Sequence, residues 1–222
     1  MKKLGLITIG QSPRTDITPD LEPILGPDVQ LCQAGALDGI TPQEAAALAP
    51  EEGDSVLISK LRDGSTVLLG EQRILPRLQQ CIYSLEEQEA ELILFLCTGS
   101  FPPFQSHVPL IYPCVVLNGA VPALTGRSRI AVVAPKEEQR AQCMEKWQNF
   151  VQSVQVVCAS PYGPPEELDQ AAREASALDA DLIVMDCMGY TTAMKERVRQ
   201  LSGKPVVLSR TLAARAVAEL LA

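Results

Sequence analysis

The sequence predicts an α/β protein built from a duplicated unit with mainly parallel strands. A short apolar run that ends in Cys-x-Gly occupies residues 92–99, and a similar run recurs at residues 182–189. Each copy is preceded by an Ala- and Glu-rich helical segment. Each is also followed by an apolar run that a proline introduces, at residues 109–112 and 205–208. Strands that alternate with helices indicate a parallel sheet, and the recurrence predicts two such sheets.

The cysteines of the repeated run mark the predicted functional site. A short, β-rich apolar run bounded by turn residues is typical of a parallel strand that is buried on both faces. Ligands of open α/β sheets bind at the carboxyl ends of the strands. Cys97 and Cys187 stand at these ends, so we expect them to face a ligand.

Composition limits the partners of this chain. Its 222 residues are 46% hydrophobic, which is enough for one large or two small domains, and the duplication favours two. The formal net charge of -8 and the pI near 4.8 argue against nucleic acid or an anionic membrane surface, because both reward clustered Lys and Arg. No apolar stretch of the sequence is long enough to cross a bilayer.

The cysteine count indicates the cellular compartment. Seven cysteines are an odd number, and they lack paired metal-ligand spacing. We therefore expect reduced thiols, no metal and a cytoplasmic location. Residues 1–10 carry two lysines before an apolar run, but no cleavage motif follows, so they predict the first strand rather than a signal peptide.

The loop after this first strand is a candidate anion site. The strand ends at Gly10, and Ser12-Pro13 follows at the start of a βα turn, which can present backbone N–H groups to an anion. Arg14 can add a charge-assisted fork to a carboxylate. The alternative is that Ser12 caps a helix and that Arg14 is solvated.

Turn and capping signals define the rest of the first half. Thr41 and Glu44 have the spacing of a capping box and predict a helix start. Asp63-Gly64 between two apolar runs predicts a hairpin insertion near residues 55–70 that flanks the site. Apolar spacings of three and four predict an amphipathic helix over residues 71–89. His107 lies in a proline-broken loop and is the only histidine, so no histidine-based triad is expected.

The second half repeats the order of strand, proline loop and helix. The predicted strands cover residues 130–134, 154–159, 182–187 and 206–209, and helices end at Trp147, Ala180 and Leu221. The last helix is expected to pack back on the first domain. The predicted domains are residues 1–120 with 207–222, and residues 121–206.

Two facing cysteines suit proton transfer at a carbon next to a carboxylate. One thiolate removes the proton from one face of the carbon, and the other thiol returns a proton to the opposite face. The enolate-like intermediate needs N–H groups and hydroxyls aimed at the carboxylate. The polar groups near the two cysteines are those of Ser12, Thr98, Ser100, Thr191 and Thr192. Asp186 precedes Cys187, and strand alternation sends its side chain to the other face, so we interpret it as a structural carboxylate.

The remaining cysteines have a simpler interpretation. A lone cysteine most often serves as a small buried apolar residue. We assign this role to Cys32, Cys81, Cys114, Cys143 and Cys158.

Four segments of the chain resemble the AroM family over essentially its whole length. They are residues 7–14, the hairpin residues 60–64, Trp147-Gln148 and residues 186–189. That family is placed beside the aspartate/glutamate racemases. The resemblance implies two flavodoxin-like three-layer domains related by a pseudo-two-fold axis, with the site between them and with neither metal nor pyridoxal phosphate.

The resemblance also implies residue roles. Cys97 and Cys187 match the two racemase cysteines, Thr98 and Gly99 match the loop that binds the substrate carboxylate, and Ser12 matches the polar residue of the first loop. Racemases have Cys-Asn-Thr and Gly-Cys-Thr at these cysteines, whereas this chain has Cys97-Thr-Gly and Asp-Cys187-Met. The hydroxyl expected after the second cysteine is displaced to Thr191 or Thr192.

The resulting hypothesis is a cofactor-independent racemase- or isomerase-like enzyme that acts on a small carboxylic acid. Cys97 and Cys187 are its acid/base pair, and a homodimer is an expected assembly. The predicted ligand-binding residues are Ser12, Arg14, Thr98, Gly99, Ser100, Gly189, Tyr190 and Thr191. Two alternatives remain open: a decarboxylase or isomerase that uses one cysteine, and a non-catalytic protein that binds an aromatic-pathway metabolite.

Overall fold

The structure is a computed structural model that describes residues 1–126 and 129–222. The chain divides into two compact units. Unit 1 comprises Met1–Pro113 and Ala214–Ala222, and unit 2 comprises Cys114–Ala213. The α/β class with parallel sheets is confirmed. That these units are separate folding domains stays a prediction.

Unit 1 is built on a parallel sheet with a separate antiparallel hairpin. Its strands are β1 (Lys2–Thr8), β2 (Val29–Gly35), β3 (Val56–Lys60), β4 (Thr66–Gly70), β5 (Leu92–Phe95) and β6 (Leu110–Ile111). Its helices are α1 (Thr18–Leu25), α2 (Pro42–Ala46) and α3 (Glu71–Glu87). The sheet order is β2-β1-β5-β6, and β3 pairs with β4 where the sequence predicts a hairpin.

Unit 2 repeats this topology. Its strands are β7 (Arg129–Ala134), β8 (Ser153–Cys158), β9 (Leu182–Met185) and β10 (Val206–Leu208). Its helices are α5 (Arg140–Trp147), α6 (Pro165–Ala177) and α7 (Thr192–Ser202), while α4 (Pro113–Thr125) and α8 (Ser209–Leu221) cross the unit boundaries. The sheet order is β10-β9-β7-β8, so the first strand of each unit pairs with the second and third in both sheets.

Burial on both faces of each sheet explains the apolar strands. In β7 and β9, Ala131, Val133 and Ile183 belong to one apolar core, whereas Ile130 and Val184 belong to another on the opposite face. All these residues are at most 1% exposed. Because successive strand side chains point to opposite faces, a strand that is covered on both sides reads as a continuous apolar run.

Local capping signals act where the sequence places them. Thr41 accepts a hydrogen bond from the Glu44 backbone N–H, and the Glu44 carboxylate accepts one from the Thr41 N–H, which completes the capping box of α2. At the other end of the chain, Lys2 donates to the terminal carbonyl groups of Leu221 and Ala222, which ties the end of α8 to β1. Within residues 1–126 and 129–222, no helix is both long and apolar enough to span a membrane.

Candidate active site

The two cysteines occupy equivalent places in the two units. Leu96, just before Cys97, donates its N–H to Ile7 O of β1 at 2.7 Å, and Asp186, just before Cys187, donates to Val133 O of β7 at 3.1 Å. Each cysteine therefore follows the third strand of its sheet in the same register. Both side chains are half-buried, and both follow the carboxyl end of a strand, where α/β sheets bind ligands.

Each sulfur accepts a hydrogen bond from the backbone two residues on. The Gly99 N–H donates to Cys97 Sγ at 3.4 Å, and the Gly189 N–H donates to Cys187 Sγ at 3.3 Å. An N–H that points at a sulfur favours the thiolate over the neutral thiol. The duplicated Cys-x-Gly thus gives both sulfurs the same local donor.

The glycines of this motif are required for space. A Cβ on Gly99 would lie 2.8 Å from Leu57 Cδ2 of the hairpin, and a Cβ on Gly189 would lie 2.8 Å from Pro161 Cγ and 2.7 Å from Tyr162 Oη. Real Cβ atoms essentially never approach a heavy atom so closely. A larger residue would therefore require its neighbours to shift, and at Gly189 the neighbours are a proline ring and a tyrosine hydroxyl.

The chain continues differently after the two cysteines. Of the two cysteines, Cys187 is the one followed closely by a helix, where Thr191 caps α7 by accepting from Met194 N at 3.1 Å. After Cys97 the chain runs without regular structure to β6. This agrees with the proline-broken loop that the sequence predicts, because Pro102 and Pro103 disfavour a helix here.

Helix α3 holds the loop that follows Cys97. Gln79 and Gln105 exchange two hydrogen bonds, at 2.8 and 2.9 Å. Glu86 accepts from Ser106 Oγ and from His107 N, both at 2.6 Å, and the Ser106 hydrogen bond lowers the pKa of this carboxyl. The backbone of His107 therefore takes part in anchoring the loop.

The carboxylate that precedes Cys187 is structural, as expected. Asp186 accepts from Lys146 Nζ at 3.0 and 2.8 Å and from Trp147 Nε1 at 2.7 Å. Its side chain is 1% exposed, and Trp147 is fully buried. Burial lowers the pKa of Lys146, but the charge of Asp186 and its hydrogen bonds outweigh burial, so the net pKa is raised.

The first loop of unit 1 is already occupied by an internal carboxylate. Asp38 accepts from Ser12 N at 2.9 Å, Ser12 Oγ at 2.6 Å, Gly35 N at 2.8 Å and Arg62 Nη2 at 2.9 Å. The sequence predicts an anion at this turn, and the anion is Asp38 of the same chain. No sequence signal singled out Asp38, because it follows β2 and meets Ser12 only through the fold.

Arg14 also has an internal partner. Its Nε and Nη2 donate to the two carboxylate oxygens of Asp16 at 2.8 Å each, and Nη1 donates to Thr8 Oγ1 at 3.1 Å. Arg14 is 4% exposed. The predicted carboxylate fork exists, but Asp16 fills it. Both Ser12 and Arg14 therefore have partners within the chain, and their predicted role in binding a ligand stays a prediction.

The other predicted ligand-binding residues have mixed positions. Thr98 and Gly99 are half-buried, Ser100 is exposed and Thr191 is half-buried. Tyr190 is fully buried and donates its hydroxyl to Ala159 O at 2.6 Å, so it is a core residue that a ligand does not reach in this structure. Gly189 contributes its backbone N–H to the Cys187 sulfur.

Other cysteines lie in surroundings that disfavour the thiolate. Burial raises the pKa of Cys81 to about 11, and burial together with Glu137 raises the pKa of Cys158 to about 11. Burial raises the pKa of Cys143 as well. In the described part of the chain, no group of three or more His, Cys, Asp or Glu side chains is arranged to hold a metal ion.

Two residues next to Cys187 in space carry no signal in the sequence. Ser209 Oγ donates to Cys187 O at 2.8 Å, and Arg210 donates to Met188 O from Nε at 2.9 Å and from Nη2 at 2.6 Å. Both residues are at most 1% exposed. They begin α8, and only the folded sheet brings them beside the cysteine loop.

Comparison with known structures defines the fold class. A maleate isomerase from Pseudomonas putida S16 is 14% identical with a TM-score of 0.66, and the match covers 99% of this chain and 92% of that one. An arylmalonate decarboxylase is 16% identical with a TM-score of 0.64, covering 100% and 92%. An allantoin racemase from Klebsiella pneumoniae is 13% identical with a TM-score of 0.63, covering 100% and 88%. This is the fold of the aspartate/glutamate racemase superfamily.

The sequence comparison identifies the family. The AroM protein family matches residues 4–221, so this chain belongs to the AroM family. No curated protein sequence gives a significant match.

Proposed function

We propose that this AroM protein is a racemase- or isomerase-like enzyme that moves a proton at the carbon next to a carboxylate of a small acid. Cys97 and Cys187 are the acid/base pair. The matched hydrogen bonds from Gly99 N and Gly189 N to the two sulfurs are the observation that carries the proposal. A buried cysteine with a purely structural role would not need a backbone N–H aimed at its sulfur. Both cysteines of the repeated motif have such a donor.

The proposed reaction is a proton transfer that needs no oxidant, reductant or group acceptor. One sulfur, as the thiolate, takes the proton from the carbon, and the electron pair moves into the carboxylate. The second sulfur, as the thiol, then gives its proton to the opposite face of the same carbon. The charges balance because one thiolate is consumed and one is formed. The proposal requires both sulfurs to reach one carbon of the bound ligand.

Backbone and hydroxyl groups of the two cysteine loops are the proposed carboxylate ligands. Thr98, Gly99 and Ser100 supply N–H and O–H groups beside Cys97, and Thr191 supplies a hydroxyl beyond Cys187. Donors that strengthen as the carboxylate gains enolate character lower the barrier. Ser12 and Arg14 are left out of this proposal because each donates to a carboxylate of the chain itself, Asp38 and Asp16 respectively.

The structural neighbours support the reaction class. Their names denote an isomerase, a decarboxylase and a racemase, which are three reactions at carbon on one fold. Because the fold alone is shared at 13–16% identity, the substrate of this chain does not follow from them. A small carboxylic acid is the class that the proposed donors and two of the three neighbour names, maleate isomerase and arylmalonate decarboxylase, favour.

A one-cysteine decarboxylase or isomerase is the second candidate, and the asymmetry of the two loops favours it. Cys187 lies between the buried Asp186 and the capped start of α7, whereas Leu96 precedes Cys97 and no helix follows it. Different surroundings give the two thiols different reactivity. If the difference is large, one thiol is active in the reaction and the other is not.

Deuterium incorporation tests the proposal. The protein is incubated in heavy water with a panel of amino acids, hydroxy acids and other small carboxylic acids, and proton NMR follows the signals at the carbons next to the carboxylates. We expect one acid, or one class of acids, to lose this signal. A panel member that raises the melting temperature without any exchange would contradict the proposal and indicate a non-catalytic binding protein.

A further inference from the structure

The backbone around Cys187 is fixed at consecutive carbonyl groups by side chains from the start of α8. Ser209 holds Cys187 O at 2.8 Å, and Arg210 holds Met188 O with two donors at 2.9 and 2.6 Å. All of these residues lie in unit 2. Two adjacent carbonyl groups that turn away from water need such partners, because a buried carbonyl without a hydrogen bond is costly.

Holding a carbonyl also fixes the N–H on the other side of the same peptide bond. A trans peptide is planar, and its C=O and N–H point in opposite directions. Because Arg210 holds Met188 O, the N–H of the same peptide, which belongs to Gly189, points the other way. That N–H is the one that donates to Cys187 Sγ at 3.3 Å. In the same manner, Ser209 holds Cys187 O, so the N–H of that peptide, which belongs to Met188, points away from the Ser209 hydroxyl.

We propose that Arg210 and Ser209 are positioning residues that aim the Met188 and Gly189 N–H groups at Cys187 and at the ligand carboxylate beside it. The inference rests on the proposed function in so far as it makes Cys187 a catalytic thiol. The path is Arg210, the Met188 carbonyl, the Gly189 N–H and then the Cys187 sulfur, and each link except the covalent one is a hydrogen bond in the structure.

The first half of the duplication provides a natural comparison. The repeated strands place Pro113 where unit 2 has Ser209, and Cys114 where it has Arg210. Proline has no side-chain or backbone donor, and a thiol is a weak one. The Cys97 loop has neither the serine nor the arginine at these two positions, so removing Arg210 should change the reactivity of Cys187 more than that of Cys97.

Peptide-resolved alkylation with iodoacetamide measures this difference without any substrate. Mass spectrometry follows Cys187, Cys97 and the buried Cys143 in the same sample over a range of pH. We expect Arg210→Met to slow the alkylation of Cys187 about tenfold at neutral pH, because hydrogen bonds to charged groups are worth that much, and to move its pH midpoint upward. Cys97 should change less than twofold. Arg210→Lys, which keeps one charged donor, should retain part of the rate, and Ser209→Ala should give a smaller loss.

The direction of the change separates positioning from general support. If Arg210 only stabilised the fold, Arg210→Met would loosen unit 2, and both Cys187 and Cys143 would react faster. That result, or equal changes at Cys97 and Cys187, would overturn the proposal. If Arg210→Met does not fold, Arg210→Lys and Ser209→Ala decide by the same criterion. Because alkylation needs no turnover, a failure here leaves the deuterium test of the proposed function unaffected.

Discussion

Gly189 has two roles, one for its backbone N–H and one for its lack of a side chain. Its N–H donates to the Cys187 sulfur, and its missing side chain leaves room for the ring of Pro161 and the hydroxyl of Tyr162. Its φ is not in the left-handed region, so the need for glycine is one of space rather than of backbone conformation. Gly99 plays the same part beside Leu57 in unit 1.

Gly189→Ala is therefore expected to destabilise the protein. The new methyl group would sit 2.8 Å from a rigid proline ring, and overpacking of this kind costs about 1–3 kcal/mol in the free energy of unfolding. The matched control is Gly119→Ala in α4, where the new Cβ meets nothing within 4 Å apart from its chain neighbours and the backbone of its own helix. In a helix interior that change should stabilise by roughly 0.5–1 kcal/mol. Urea unfolding measures both, and equal effects would contradict the packing argument.

The loss of Asp186 should be costly, because its buried carboxylate pairs with a lysine. Its side chain is 1% exposed, and it neutralises Lys146, whose side chain is 14% exposed. Asp186→Asn removes the carboxylate charge that faces this ammonium, and breaking a buried pair from one side costs about 3–5 kcal/mol. Urea unfolding should show the loss, and adding Lys146→Met should recover part of it. A single variant as stable as the wild type would show that the pair contributes nothing.

The pH dependence of this pair has a definite sign. The pKa of Lys146 is raised in the folded protein, chiefly because the charge of Asp186 outweighs burial. The stability that the Lys146 charge contributes is fully present below the unfolded pKa of lysine, about 10.4. It is lost as pH rises through the folded pKa. On the lysine side, the stability gap between the wild type and Asp186→Asn should therefore narrow as the solution becomes strongly alkaline.

At the scale of elements, the loop after β5 has no regular secondary structure and is held by side-chain contacts. It reaches from Cys97 to β6 and is fixed by side chains of α3, and the rings of Phe101 and Phe104 pack on Phe95 with centroids 5.5 and 5.6 Å apart. Because this loop carries the proposed carboxylate donors, its anchoring on α3 bears directly on the site.

Glu86→Gln tests this anchoring. The hydrogen bond from Ser106 lowers the pKa of Glu86, so its contribution is present above the unfolded pKa of about 4.3 and is lost as pH falls through the folded pKa. Since water screens this surface carboxylate, we expect a loss of no more than about 1 kcal/mol at pH 7, with faster amide exchange in residues 105–108. The control is Glu87→Gln, at the exposed neighbour. A difference that persists unchanged in acid would contradict the charged hydrogen bond.

Local signals predict most of these elements, and long-range contacts explain the misses. The capping box of Thr41 and the Asp63-Gly64 turn are complete within a few residues, so the sequence predicts them well. The partner of Ser12 is Asp38, which comes from the end of β2, and the partners of the Cys187 loop come from α8. No short window contains such pairs.

For the whole molecule, the duplication is the most informative feature of the sequence. It predicts two parallel sheets, and both sheets have the same strand order with a cysteine after the third strand. The duplication does not predict that Ser12 and Arg14 of the first loop donate to Asp38 and Asp16. A motif in the sequence indicates hydrogen-bond donors but not the groups that accept from them. The proposed function therefore rests on the two cysteine loops.

The most direct test of the two-cysteine proposal compares Cys97→Ser and Cys187→Ser with Cys158→Ser as the control. Using the acid that exchanges in heavy water, we predict that each of the first two variants slows the conversion of one isomer into the other at least a hundredfold. Cys158→Ser should match the wild type, because burial and Glu137 keep that thiol protonated. Conversion that survives intact in either Cys97→Ser or Cys187→Ser would contradict the acid/base pair.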